Sequence, residues 1–114
     1  MAKYECKLFG DFDELIRVIN DGIPQGSRSA TYEKDSYFAS GNVRCAVRVY
    51  ERYSMIGSNR VSLNVTLFGE DREWSLSAIT SGGSQAVFFK INTFGEQAFL
   101  NRIVEIVAPY QRGT

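Results

Sequence analysis

Thr80–Asn92 reads TSGGSQAVFFKIN, and the architecture turns on whether its glycine pair bends a sheet or cradles a ligand. Taken as a hairpin with Gly82 and Gly83 at its centre, the stretch sets Ala78 opposite Val87, Leu76 opposite Phe89 and Trp74 opposite Ile91. All six face one dry side, while Ser75 meets Lys90 on the other. A Gly-Gly pair also suits the positive φ angles of primed hairpin turns. A phosphate loop would need the GxxxxGK[ST] spacing and a helix whose first turn points at the anion, and neither is present. The glycines are therefore assigned to a turn.

Upstream, the same alternation repeats. NVRCAVRVYERY (42–53) separates Val43, Cys45, Val47 and Val49, assigned to the dry side, from Arg44, Ala46, Arg48, Tyr50 and Arg52. RVSLNVTLF (60–68) sets Val61, Leu63, Val65 and Leu67 against Ser62, Asn64 and Thr66, and REWSLSAIT (72–80) sets Trp74, Leu76 and Ala78 against Glu73, Ser75, Ser77 and Ile79. This is an antiparallel sheet with one face buried and one wet. A Glu70–Asp71 turn places Leu67 opposite Trp74 and Val65 opposite Leu76. A Gly41–Asn42 turn places Phe38 opposite Cys45 and Asp35 opposite Arg48, which turns Lys34 and Ser36 inward and calls for a bulge or an exposed margin over about Ser29–Ala39.

The ends of the chain are helical. After an alternating strand YECKLF (4–9), Asp11 with Glu14 three residues on opens a helix whose stripe is Phe12, Leu15, Ile16 and Ile19. Gly22 is assigned to its left-handed terminus, before Ile23 and Pro24. A longer helix starts from Thr93 as N-cap and carries Phe99, Leu100, Ile103, Ile106, Val107 and Tyr110. The class is α+β, one domain over 1–114: a strand, a helix, four or five meandering strands and a long C-terminal helix, both helices covering one face of a curved antiparallel sheet. The element order resembles helix-grip and TATA-binding-protein-like architectures, which host unrelated functions.

Composition narrows the chemistry. With 13 basic and 13 acidic residues the chain has no net charge, so no general affinity for nucleic acid is expected. There is no histidine, which removes Ser–His and Cys–His nucleophiles and the commonest metal ligand. Catalytic residues, metal ligands and a cofactor are not assigned, and an enzyme without histidine chemistry ranks third among the functions considered. No apolar run approaches the roughly 20 residues of a membrane span, and a cytoplasmic protein is expected. Cys6 and Cys45 read as buried free thiols, with a disulfide open if their strands are adjacent.

Three surfaces are candidate sites. Phe68, Ile79, Ala86 and Phe88 put apolar groups on the wet side, as a homodimer contact would. Arg44, Arg48 and Arg52 with Tyr50 form a stripe able to hold an anion, unless Asp35 and Glu33 already pair with it. Trp74, Leu76, Phe89, Phe99 and Ile103 would line a pocket for an apolar ligand, or fill it as ordinary core. The leading expectation is a non-catalytic module that associates with itself; the alternative is a small-molecule binder.

FGDFDELIRVINDGIPQGSRSA (9–30), NVRCAVRVYERYSMIGSNRVSLNVTLFG (42–69) and SAITSGGSQAVFFKINTFGEQAFL (77–100) resemble a family of small bacterial proteins known as a domain of unknown function. The resemblance implies no activity, substrate or catalytic residue.

Overall fold

The computed structural model describes residues 1–25, 30–53, 60–82 and 89–111. Strand β1 (Ala2–Phe9) leads into helix α1 (Phe12–Gln25); β2 (Ala30–Ser40), β3 (Val43–Tyr53), β4 (Arg60–Glu70) and β5 (Glu73–Gly82) follow; helix α2 (Phe89–Val107) ends in a short 3-10 turn, Ala108–Tyr110. The strands form one antiparallel sheet in the order β1-β5-β4-β3-β2, with β4 in the middle. The α+β class and the meander agree with the alternation in the sequence.

The opening stretch is where expectation and structure part. Residues 89–91, expected in a strand opposite Leu76 and Trp74, are the first turn of α2, and Thr93 lies inside that helix. Gly82 is the last residue of β5, opposite Val61, while Gly83 and the run to Phe88 lie outside the described residues. The place beside β5 belongs to β1, which aligns Tyr4 with Ala78, Cys6 with Leu76 and Leu8 with Trp74. Two apolar alternating strands compete for one sheet edge there, and local alternation cannot rank them. The segment that stays helical can instead bury its stripe across the sheet.

Strands β4 and β5 also pair in a register other than the expected one. Their turn is centred on Asp71 and Arg72, with φ +54° and +70°, as a primed two-residue turn requires. Register moves by two residues from the expected one, so Leu67 meets Leu76, Val65 meets Ala78 and Gly69 meets Trp74. A two-residue shift leaves every side chain on its expected face. The Trp74 indole then lies against the backbone of Gly69, where a Cβ would stand 3.1 Å from Cε3.

Strand β3 buries the face opposite to the expected one. Ala46 pairs with Leu67, Arg48 with Val65 and Tyr50 with Leu63, so the arginine side of β3 points toward the helices, while Val43, Cys45, Val47 and Val49 point the other way. Ala46 and the fully buried Tyr50 sit in the core, and the Tyr50 hydroxyl donates to Asn20 Oδ1 at 3.2 Å. Arginine can occupy a helix-facing position at the margin because its aliphatic stem packs while its head reaches water. Phe38 and Cys45 are opposite each other as expected, but on the open face. The bulge expected in β2 falls between Tyr32 and Lys34.

The core lies between sheet and helices. Leu8, Phe12, Leu15, Ile19, Ile23, Leu63, Leu67, Leu76, Phe99, Ile103 and Val107 are all buried in it. Asp11 caps α1 through its side chain, Oδ2 accepting from Glu14 N–H at 3.0 Å. Gly22 does not end α1; the helix continues to Gln25. Its role is close approach: a Cβ would meet Ile106 Cδ1 at 2.8 Å on α2, and the Gly22 carbonyl accepts from Arg102 Nε at 3.0 Å. Alanine at 22 should gain about 1 kcal/mol of helix propensity. The contact is with the outer end of the partly buried Ile106 side chain, which can rotate aside, so we expect Gly22→Ala to be neutral or stabilising in urea unfolding. A loss of more than about 1 kcal/mol would show that Ile106 is locked against α1.

Candidate functional site

The helix-free face of the sheet gathers the apolar residues that the core does not take. One row crosses all five strands as Lys7–Ser75–Phe68–Cys45–Phe38. Val47 and Val49 follow on β3, and Ile79 on β5. Phe38 is 65% exposed, Phe68 50% and Ile79 39%. Both helices pack on the opposite face, so no described element covers these groups. Phe68 and Ile79 therefore stand on the surface expected of them, whereas Ala86 and Phe88 lie outside the described residues. Phe38 and the β3 valines escaped the sequence reading because alternation assigned them to the dry side. The sole available signal was the arginine-rich opposite face, which read as wet.

The β1 half of this face is more polar. Between Lys7 and Phe68 runs a groove of about 470 Å³, lined also by Glu5, Thr66, Ser75 and Ser77. Lys7 Nζ donates to Ser75 Oγ at 3.1 Å, which holds the ammonium along the groove's rim.

The arginine stripe is dispersed. Arg44 Nη2 sits 2.9 Å from Asp13 Oδ1 on α1, Arg44 Nε donates to the Tyr37 hydroxyl at 2.7 Å, and the guanidinium lies 4.1 Å from the centroid of Phe12. The hydrogen bond to Tyr37, with Asp13 behind it, raises the Arg44 pKa above its ordinary value. Arg48 pairs across the strands with Asp35 at 3.6 Å, as the register required. Arg52 lies over Phe99 at 6.0 Å, and Tyr50 is buried in the core. Arg60 pairs with Glu51 at 2.8 Å. A cleft of about 240 Å³ between α1 and the β2–β3 hairpin is lined by Phe12, Asp13, Ile16, Tyr37, Arg44 and Arg48, among others. The Asp13 contact was illegible in the sequence because it joins residues 31 apart.

Of the pocket residues, Trp74, Leu76, Phe99 and Ile103 are buried members of one continuous core. Trp74 stacks edge-on to Phe12 at 4.8 Å, and its indole N–H donates to Gly10 O at 2.9 Å. Phe89 opens α2. Among the described residues no three Cys, Asp or Glu side chains gather as metal ligands, and no helix is long and apolar enough to cross a membrane.

Cys6 and Cys45 are free thiols on β1 and β3, separated by two strands, and both are partly buried. Burial raises the Cys6 pKa above the ordinary thiol value of 9.0. Burial likewise raises that of Tyr4, whose hydroxyl accepts from Gln111 Nε2. The folded chain holds both protons more tightly than the unfolded chain does. Their contribution to stability is complete below the unfolded pKa values and is lost as pH rises through the folded ones. Urea midpoints should accordingly fall above about pH 9, and Cys6→Ser with Tyr4→Phe should flatten that decline.

With this geometry in place, the comparison with known families is direct: the profile described as "Family of unknown function (DUF6054)" matches residues 1–111. The chain belongs to the DUF6054 family. No curated protein matches the sequence, and no solved structure matches it. The fold and surfaces described above therefore stand as a description of a DUF6054 chain in their own right.

Proposed function

We propose that this DUF6054 protein is a non-catalytic module that associates with itself through the helix-free face of its sheet. One observation carries the reading: Phe38, Cys45 and Phe68 form a continuous cross-strand row on a face that neither helix covers. Single exposed apolar residues are ordinary, but an aligned set on an open sheet is the pattern of a covered surface. The size is adequate. Five strands at about 4.8 Å, each some 30 Å long, present roughly 700 Å², close to the ~800 Å² per partner of a standard stable interface. A second copy offers the same apolar row, and closed two-fold association is the commonest oligomeric form.

Light scattering tests this. The wild-type chain should show twice its 12.8 kDa mass, and Phe68→Ser should return it to the single-chain value while the chain stays folded by circular dichroism, with a melting temperature that no longer depends on concentration. A wild-type chain that stays at 12.8 kDa up to high micromolar concentration would falsify the reading.

A second reading, a small-molecule binder, is favoured by the cleft that brings Arg44 and Arg48 to one wall. Any anion there competes with Asp13 and Asp35, which already engage the two guanidiniums. Inorganic phosphate and small carboxylates should raise the melting temperature if this reading holds, and Arg48→Ala should remove the effect.

A further inference from the structure

The row Lys7–Ser75–Phe68–Cys45–Phe38 has a built-in symmetry. Phe68 stands on the middle strand, with Phe38 on one edge strand and Lys7 on the other. Phe38 protrudes, 65% exposed, on the β2 side. The β1 side is hollow, with its groove of about 470 Å³ between Lys7 and Phe68. A half-turn about an axis along β4 exchanges β2 with β1 and β3 with β5, so it carries the protrusion of one copy onto the hollow of another.

Resting on the self-association reading above, we propose that a second copy docks face to face about a two-fold axis along β4. Each copy's Phe38 fills the other's groove, and the two Phe68 rings meet at the axis. Aligned sheet packing leaves about 10 Å between the sheets, the depth that interdigitating side chains fill. In this arrangement the Lys7 ammonium, held by Ser75 at 3.1 Å, meets the ring of the incoming phenylalanine, a favourable cation–aromatic contact. The groove is then no site for a separate ligand; its occupant is this chain's own β2.

Cross-linking distinguishes this arrangement from self-association in general. Glu5, Ser77, Thr66, Val47 and Ser36 form the adjacent row, so Glu5 and Ser36 stand at opposite edges of the same face. Four strand spacings, about 19 Å, separate them within one chain, beyond the reach of a short bis-maleimide. Across the proposed axis they face each other. In a Cys6→Ser, Cys45→Ser background, Glu5→Cys with Ser36→Cys should give a cross-linked dimer. Each single variant alone should give none, and a mixture of the two should give the heterodimer. In the otherwise native chain, Phe38→Ser should raise the dimer dissociation constant about tenfold or more, and Ser36→Ala should not. A dimer by mass that fails to cross-link, or that cross-links through either single variant, overturns this arrangement and leaves the self-association reading intact. A chain that stays monomeric overturns both, as does small-molecule mass in the groove of a monomer by native mass spectrometry.

Discussion

Gly69→Ala is expected to destabilise the fold by about 3 kcal/mol or more, among the largest effects of any single methyl added to this chain. The reason is geometric. A Cβ at 69 would lie 2.2 Å from the Glu73 carbonyl oxygen, 3.0 Å from Trp74 Cα and 3.1 Å from Trp74 Cε3. Two of those atoms are backbone of the neighbouring strand and cannot rotate away. The residue also sits at φ +157°, which an L side chain adopts only with strain. Relief therefore requires opening the β4–β5 ladder next to its turn, where Gly69 is paired with Trp74. Trp74 is the protein's only tryptophan, so its fluorescence reports the transition directly. The midpoint in urea should fall sharply while the unfolding slope stays constant. A loss under 1 kcal/mol would mean that the indole and the strand slide apart easily, and that the close approach is incidental.

The second large effect is expected at Ile103 on α2. It is fully buried, and truncation to alanine should cost about 2–5 kcal/mol, the range for a close-packed aliphatic that leaves a cavity. The magnitude decides between two descriptions of the space beneath α2. If Trp74, Leu76, Phe99 and Ile103 fill it as core, Ile103→Ala pays the full cavity term and apolar additives restore part of the lost stability. If that space were a preformed ligand pocket, Ile103 would line a void already, and the same truncation would cost under about 1 kcal/mol. Chemical denaturation of the variant, with and without a small aromatic such as benzene, separates the two.

How legible the molecule was in its sequence depended on whether a feature is local. The Asp11 cap, the α1 stripe from Phe12 to Ile19 and the α2 stripe from Phe99 to Val107 depend on residues within a few turns of each other, and all appear as read. So do the faces of β4 and β5, where large aliphatics alternate with serine, threonine and asparagine. The register of β2 on β3 follows from the Gly41–Asn42 turn as far as Lys34, beyond which the bulge shifts it by one residue.

The candidate site was half visible. Phe68 and Ile79 announced themselves as apolar residues among polar neighbours. Phe38, Cys45 and the β3 valines did not, because a strand with small apolar groups on one side and arginines on the other reads as dry and wet. The opposite outcome follows from packing: Ala46 and Tyr50 share the arginine side and fill the core, while Arg44 and Arg52 lay their guanidiniums over Phe12 and Phe99. Which face of a strand is buried is a property of what lies across from it, and that partner comes from elsewhere in the chain.

Period and the Asp11 cap thus determined the class, the apolar stripes of both helices and the sidedness of β4 and β5, since these depend on neighbours within a turn or a hairpin. They did not determine the end of α1 or the start of α2. Tertiary structure alone decided which strand sits beside β5, that residues 89–91 are helical, and that the valine side of β3 faces outward. Each of those three is a competition between segments for one apolar surface. Its outcome is set by the fit of the whole core, to which no short window of sequence has access.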